Sequence, residues 1–529
     1  MLSPRDSPPA PVPTGPLPDL PFEIIRRIIR HRLALTPSYP AKLPDEAAGE
    51  DPIRAEIGLA GYSGRRMAMR RVAEREDVQD AAMSLMRVCK AWKPVVMKYL
   101  YCEPQLSSSS LLLLAEAVVR GDKKWDNLRL HPHSIPGRYI TTLDLSHLSE
   151  GYFAPHVTVI SRAFHDLLPL LPNVTHLKLP PGQLPFRLSQ LPSAPFLTKL
   201  RALEGLQIGD ERSYEGRYPF IHLLRAMPGL EVLSVLGPGL AGRDLDLQEI
   251  DQKPIHLPKL HTLTLDGVKS SLLLSTLLIS DLPSIRRLLI TSYCGCPGDQ
   301  TYEFQQVHGG DLISLTYLPT REWPTVHPTP PLDTLDLHPK LRHLSYLLPN
   351  SVLQSNRIIA TSLARDDHPL STLTLPKWEN LARPSPSPSP AHTPLPQPGA
   401  NDNNHGQQTP FLSPSAASID GVRRSNRFIL ELLSHKPAHL RYIIADGFTW
   451  VKPSLGKAAL QAGASGEMRI WAQRLKNHGI ELLDGEGKVV PVAEGRSGDG
   501  GERTRGRRLS RNDVVRPKVR AERDEEDGG

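Results

Sequence analysis

The apolar positions of this chain follow two rhythms. Near the N-terminus they recur at helical spacing. In LPFEIIRRIIRHRL (20–33), Ile24, Ile25, Ile28 and Ile29 form one stripe on a predicted helix. Pro21 suits the first helical turn, where its missing N–H has no partner to lose. Glu23 lies near the positive end of the helix dipole, and the arginines follow toward the other end. A second amphipathic stretch, LMRVCKAW (85–92) running on to Tyr99-Leu100-Tyr101, places Trp92 one turn after Val88. Helices this short bury their apolar faces only against each other or against a partner.

Farther along, the rhythm changes to period two. The pattern L-x-x-L-x-L, with Ile or Val permitted, begins at Ile140, Val174, Leu203, Leu230, Leu260, Ile285, Leu341 and Leu370. A fainter copy starts at Leu312 and a late one at Leu440. Through Leu370 the copies are 25 to 34 residues apart. Alternation of this kind predicts strands whose leucines face inward while the residues between them face out. The intervening stretches 158–171, 219–227, 272–280, 356–364 and 426–433 read as helices. Proline or a short polar turn follows each and resets the backbone to an extended course. Residues 468–475 read as a last helix and 479–483 as a final strand. One strand and one returning helix per unit predicts an α/β fold, a solenoid with a parallel sheet on its concave face and helices on its convex face.

The 70-residue interval between Leu370 and Leu440 contains 383–425, which begins RPSPSPSPAHTPLPQPGANDNNHGQQTP. That segment is too poor in apolar residues to bury enough surface to order itself. Removing its 43 residues leaves 27, which restores the period. The expectation is a disordered loop projecting from a continuous array. The predicted organisation is a disordered 1–16, a helical module over 17–106 interrupted by 36–79, and a connecting helical segment over 107–137. Repeats follow over 138–382 and, after the insertion, over 426–490. The chain ends in a disordered tail, 491–529, basic and then acidic.

The two N-terminal stretches together resemble a known module. Leu-Pro-x-Glu-Ile-Ile, followed downstream by Val-Cys-Lys-x-Trp and Tyr-Leu-Tyr, is similar to an F-box. Through that module, substrate receptors dock onto the adaptor of Skp–cullin–F-box (SCF) ubiquitin ligases. The resemblance covers about 45 of the residues between Leu17 and Leu106. The later units resemble the irregular leucine-rich repeats that follow an F-box in many fungal proteins. Agreement lies in the hexapeptide and the period; the Asn or Cys that usually bonds the next turn is mostly missing (LDLSHL, LKLPPG, LSVLGP, LTLDGV). The resemblance implies a non-catalytic substrate-recognition subunit of an SCF-type E3 ligase. Its adaptor-binding residues would be Leu20, Pro21, Ile24, Ile25, Ile28, Val88 and Trp92, and its partners the adaptor, through it a cullin, and a protein substrate.

Counting alternation from the leucines places Thr142, Asp144, His176, Lys178, Gln207, Ser234, Thr262, Thr264, Arg287, His343, Ser345, Thr372, Thr374 and Tyr442 on the outward face of the sheet. Of these, His176, Lys178, Arg287, His343 and Tyr442 are the candidate substrate contacts, on a polar, slightly positive surface suited to an acidic or phosphorylated peptide. The plainer reading is that threonine is a good strand residue and the charges are simply solvated.

Composition excludes several classes. Four cysteines in 529 residues make no disulfide framework, and MLSPRDSPPAPVP has no secretory apolar core, so a reducing compartment, cytoplasmic and/or nuclear, is expected. No apolar run is long enough to span a bilayer. The net charge of +7 is mild and carries no nucleic-acid signature without a localised patch. Neither a phosphate-binding glycine loop, nor H-E-x-x-H, nor G-x-S-x-G occurs. Cys294-Gly295-Cys296 lacks zinc spacing and a second ligand pair, so no cofactor, metal or small-molecule substrate is expected.

Ser385, Ser387 and Ser389, each followed by Pro, suit proline-directed kinases. Ser510, after Arg507-Arg508-Leu509, suits a basophilic one, and the basic run 503–511 has the composition of a nuclear-import signal. Two other readings stand beside the receptor: a scaffold outside ubiquitin transfer, and a nucleic-acid-associated repeat protein using the basic tail.

Overall fold

Each hexapeptide becomes one short strand. In the computed structural model, which describes residues 24 and 28, 81–87 and most of 92–490, eleven strands stand side by side in chain order in one parallel sheet. The longest stretches left out within 92–490 are 129–135, 181–190, 209–218, 242–252, 347–356, 376–429 and 452–462. The strands are β1 (Thr142–Asp144), β2 (His176–Lys178), β3 (Ala202–Gln207), β4 (Val232–Leu236), β5 (Thr262–Asp266) and β6 (Arg287–Thr291). They continue as β7 (Ser314–Leu318), β8 (His343–Tyr346), β9 (Thr372–Leu375), β10 (Tyr442–Ala445) and β11 (Glu481–Asp484).

Register explains why the leucines recur. Leu143, Leu177, Leu203, Leu233, Leu263, Leu288, Leu315, Leu344, Leu373, Ile443 and Leu482 pair in a single file across the sheet. Every one of them is buried. The faint copy at Leu312 is a full member: β7 pairs with β6 and β8 like any other strand.

The third unit differs from the expected phase. Leu203 pairs with Leu177 and Leu233, so the hexapeptide there starts at Leu200. The register then shifts between Leu203 and Leu206, where Gly205 takes a φ of +77°. One residue more than in β4 is absorbed as a bulge at a backbone conformation that favours glycine.

Helices cover the leucine-bearing face. They are α1 (Trp92–Cys102), α2 (Ser108–Leu128), α3 (Phe153–Leu167), α4 (Pro219–Arg225), α5 (Leu272–Leu278), α6 (Thr301–His308), α7 (Thr334–Leu337) and α8 (Gly463–Lys476). Phe164 of α3, Leu224 of α4, Leu277 of α5, Phe304 of α6, Leu335 of α7 and Leu475 of α8 join the strand leucines in one continuous apolar core. Residues 357–361 are helical within the expected 356–364, and 430–434 are helical, running one residue past the expected 426–433.

Pairing runs straight across the long insertion. Thr372, Leu373 and Thr374 of β9 stand opposite Tyr442, Ile443 and Ile444 of β10. The strands flanking 383–425 are therefore direct neighbours, as the restored period predicts. The insertion itself lies outside the described residues.

Local contacts tie down both ends of the sheet. At the start, Thr141 donates its N–H (3.0 Å) and its hydroxyl (3.2 Å) to the carbonyl of Cys102, the last residue of α1. At the end, the chain after β11 turns back so that Leu483 bridges Val489 in antiparallel fashion. Asp484, fully buried, accepts the N–H groups of Lys488 (2.8 Å) and Trp450 (3.2 Å). The turn after β11 thus occupies part of an edge that would otherwise offer unpaired backbone to another chain.

Candidate protein-interaction surfaces

Two surfaces follow from the sequence: the N-terminal helices and the outward face of the sheet. Ile24 and Ile28 both have helical backbone and stand one turn apart, 42% and 39% exposed. Covering what each leaves in water is worth between about 1 and 2 kcal/mol. Leu20, Pro21, Ile25 and Val88 lie outside the described residues. Trp92, at the first turn of α1, is half-buried against a small cluster built on Ala82, Val95 and Val96, with Leu85, Met86, Tyr99 and Leu100 around it. This cluster is distinct from the main core. The second amphipathic stretch thus has its own packing, while its far end, Cys102, is tied to the first strand through Thr141.

On the sheet, His176, Arg287, His343 and Tyr442 share one file across β2, β6, β8 and β10, and Lys178 sits in the next file of β2. The four strand steps from β2 to β6 separate His176 from Arg287 by about 19 Å, so these residues share a row without forming a cluster. Lys178 is exposed; His176, His343 and Tyr442 are half-buried. Burial pushes the His176 imidazole below its usual range, with Arg201 adding to the effect and Glu103 opposing it. Its Nδ1 lies 2.8 Å from the Thr175 hydroxyl.

The expected unbroken polar surface needs two corrections. The outward face is most open on the first five strands, where Thr142, Asp144, Glu204, Ser234, Thr262 and Thr264 are all half-exposed. From β6 onward much of the face is covered, although Ser314, His343 and Tyr442 stay half-exposed and Glu481 is exposed. Arg287 is 7% exposed, and Thr316, Ser345, Thr372 and Thr374 are buried with it. At the far end Ile444 and Leu483 form a small apolar cluster against which Tyr442 packs.

The second correction concerns charge. Lys178 stands in register between Asp144 and Glu204, so a carboxylate flanks it on each side and β2 is not a positive patch. Glu204 escapes a count that starts at Leu203. The signal that exposes it is Gly205, the one glycine inside a repeat hexapeptide.

Cys294 and Cys296 follow β6 and are half-exposed. Burial, helped by Asp299 and Asp333, pushes the Cys294 thiol up, which keeps it protonated. Among the described residues no group of three or more His, Cys, Asp or Glu could hold a metal ion. No described helix is long and apolar enough to cross a membrane. Ser385, Ser387, Ser389 and Ser510 lie outside the described residues.

No protein-family model matches the chain, and no curated protein matches it.

Proposed function

We propose that the chain is the substrate-recognition subunit of an SCF-type ubiquitin ligase, with an F-box-like N-terminal module and a leucine-rich-repeat array. Ile24 and Ile28 would enter the adaptor, and a protein substrate would be held on the repeats. The observation that carries this reading is the contrast between the two N-terminal stretches. Ile24 and Ile28 present their apolar side chains to solvent, whereas the Trp92 stretch is packed and anchored to β1 through Cys102 and Thr141.

Such a receptor needs no catalytic residue of its own. Two binding surfaces on one body raise the local concentration of substrate lysines near the charged conjugating enzyme, and effective concentrations of this kind reach the millimolar range. The anchoring of α1 to the first strand would keep that geometry defined.

The test is a pair of charge substitutions, Ile24→Asp with Ile28→Asp. Co-purification of the adaptor should be lost while the melting temperature of the repeat array stays that of the parent. Retention of the adaptor by the double variant would refute the docking assignment.

A further inference from the structure

A row of basic side chains runs along the edge of the sheet where the strands begin. The residue just before each strand from β2 to β10 donates its N–H to the carbonyl of its counterpart in the preceding unit. Arg201 donates to Thr175, Glu231 to Arg201, His261 to Glu231, Arg286 to His261, Ile313 to Arg286, Arg342 to Ile313, Ser371 to Arg342 and Arg441 to Ser371, at 2.6–3.0 Å. This unbroken backbone ladder places the side chains in single file, one strand spacing of about 4.8 Å apart. Two residues earlier in each turn a second file contributes Lys199, Lys259 and Lys340. Across these turns seven permanent cations face three carboxylates, Glu231, Asp311 and Asp367.

Two of those carboxylates are already engaged. Glu231 lies 3.7 Å from Arg201, and Asp311 lies 2.5 Å from Lys340 and 4.0 Å from Arg286. Lys259 and Arg441 are exposed and have no ion-pair partner among the described residues. From Arg201 to Arg441 the row spans seven strand steps, about 34 Å, the length of roughly ten extended residues.

We propose that this rim, with Arg201, Lys259, Arg286, Lys340, Arg342 and Arg441 as its cations, binds an extended acidic segment of another protein. Guanidinium groups held two or three strands apart suit carboxylates spaced along an extended chain, which they grip through charge-assisted, often paired hydrogen bonds. A nucleic-acid strand fits less well. It carries a charge at every step and would meet Glu231 and Asp311, whereas a peptide can set neutral residues opposite them. The two files also hold no Phe, Tyr or Trp on which bases could stack. The rim is separate from the Ile24 and Ile28 surface, and its binding does not depend on adaptor docking.

The experiment uses the full chain and a fluorescent twelve-residue peptide of alternating Glu and Ser. Its controls are the Gln–Ser counterpart and a single-stranded RNA of matched length, all read by anisotropy. The acidic peptide should bind, the Gln–Ser peptide should bind at least tenfold more weakly, and Lys259→Glu with Arg441→Glu should weaken the acidic peptide at least tenfold. Should the charge reversal lower the melting temperature, Lys259→Ala with Arg441→Ala takes its place, with a several-fold loss expected. Affinity unchanged by these substitutions, equal binding of the Gln–Ser peptide, or tighter binding of the RNA would each overturn the proposal. Adaptor co-purification should be the same for parent and rim variants, so failure here and failure of the docking reading are distinguishable.

Discussion

His368 and His338 stand thirty residues apart in the chain and meet in space: Nε2 of His368 lies 3.0 Å from the carbonyl oxygen of His338. The same relation repeats one unit back, where Nδ1 of His338 lies 3.0 Å from the carbonyl of Gly309. One unit further back, Nε2 of His308 lies 3.0 Å from the carbonyl of Leu277. Three imidazoles thus stitch successive units together along the helix-bearing side.

Acid should destabilise this region by charging buried rings, although each imidazolium keeps its N–H donor to the carbonyl. Burial holds all three imidazoles below their ordinary value near 6.5, and His338 down to about 4. Asp281 beside His308, Asp333 beside His338 and Asp336 beside His368 oppose the shift without cancelling it, and His368 adds to it at His338. With folded values below unfolded ones, the unfolded chain binds more protons once the pH drops under 6.5. The stability is therefore complete above that value and drains away toward pH 4, by at most about 1.4 kcal/mol per pH unit for each group. Denaturant melts between pH 7.5 and 4.5 should show the loss. His338→Ala should flatten part of the slope while costing about 1–3 kcal/mol at neutral pH.

Deleting 383–425 should leave the array intact, because β9 and β10 already pair across the site. Shortening the connection favours folding by about 0.8 kcal/mol. The melting temperature of the deletion variant should match the parent's within about 2 °C. A large drop would mean the segment packs on the array.

Gly237 follows β4, where the turn runs against the matching turn of the next unit. A Cβ at Gly237 would fall on the carbonyl oxygen of Gly267 and come within 2.8 Å of Val268 Cα. Both obstacles are backbone and cannot swing aside. Gly237→Ala should therefore lower stability by about 1–3 kcal/mol or more, measured by chemical denaturation. Gly310→Ala, where a Cβ meets nothing within 4 Å, serves as the control.

Tyr317 and Tyr346 stack with ring centroids 5.7 Å apart, both fully buried, yet they use their hydroxyls differently. The Tyr317 hydroxyl donates to Gln305 Oε1 at 2.9 Å and lies 3.0 Å from the Thr334 hydroxyl. The Tyr346 hydroxyl has no partner among the described residues. Tyr317→Phe should cost about 1 kcal/mol or more, while Tyr346→Phe should be neutral or slightly stabilising. Equal losses in paired denaturant titrations would contradict this assignment.

Much of this architecture was legible in the leucines. Period-two alternation records which side chains must be buried, so the file from Leu143 to Leu482 and the continuity of β9 with β10 could be read from residue order. Other features leave a fainter mark. Leu200-Arg201-Ala202-Leu203 fits the pattern as well as Leu203-Glu204-Gly205-Leu206, and only the bulge at Gly205 decides between them. The α6 helix buries Gln305 and Thr301 beside Phe304, so its core-facing side is partly polar and gives a poor apolar stripe. Alternation also says which way a side chain points but not whether something covers it, which is why Arg287 reads as open and is buried. The basic rim depends on turn residues, where no periodic burial marks the position.

Mixing the purified full chain with a purified SCF adaptor subunit, and weighing the products by sedimentation, tests the account at its centre. A one-to-one complex that dissolves when Ile24 and Ile28 are both changed to Asp is the expected result. No complex at tens of micromolar, or one indifferent to those two side chains, would contradict it.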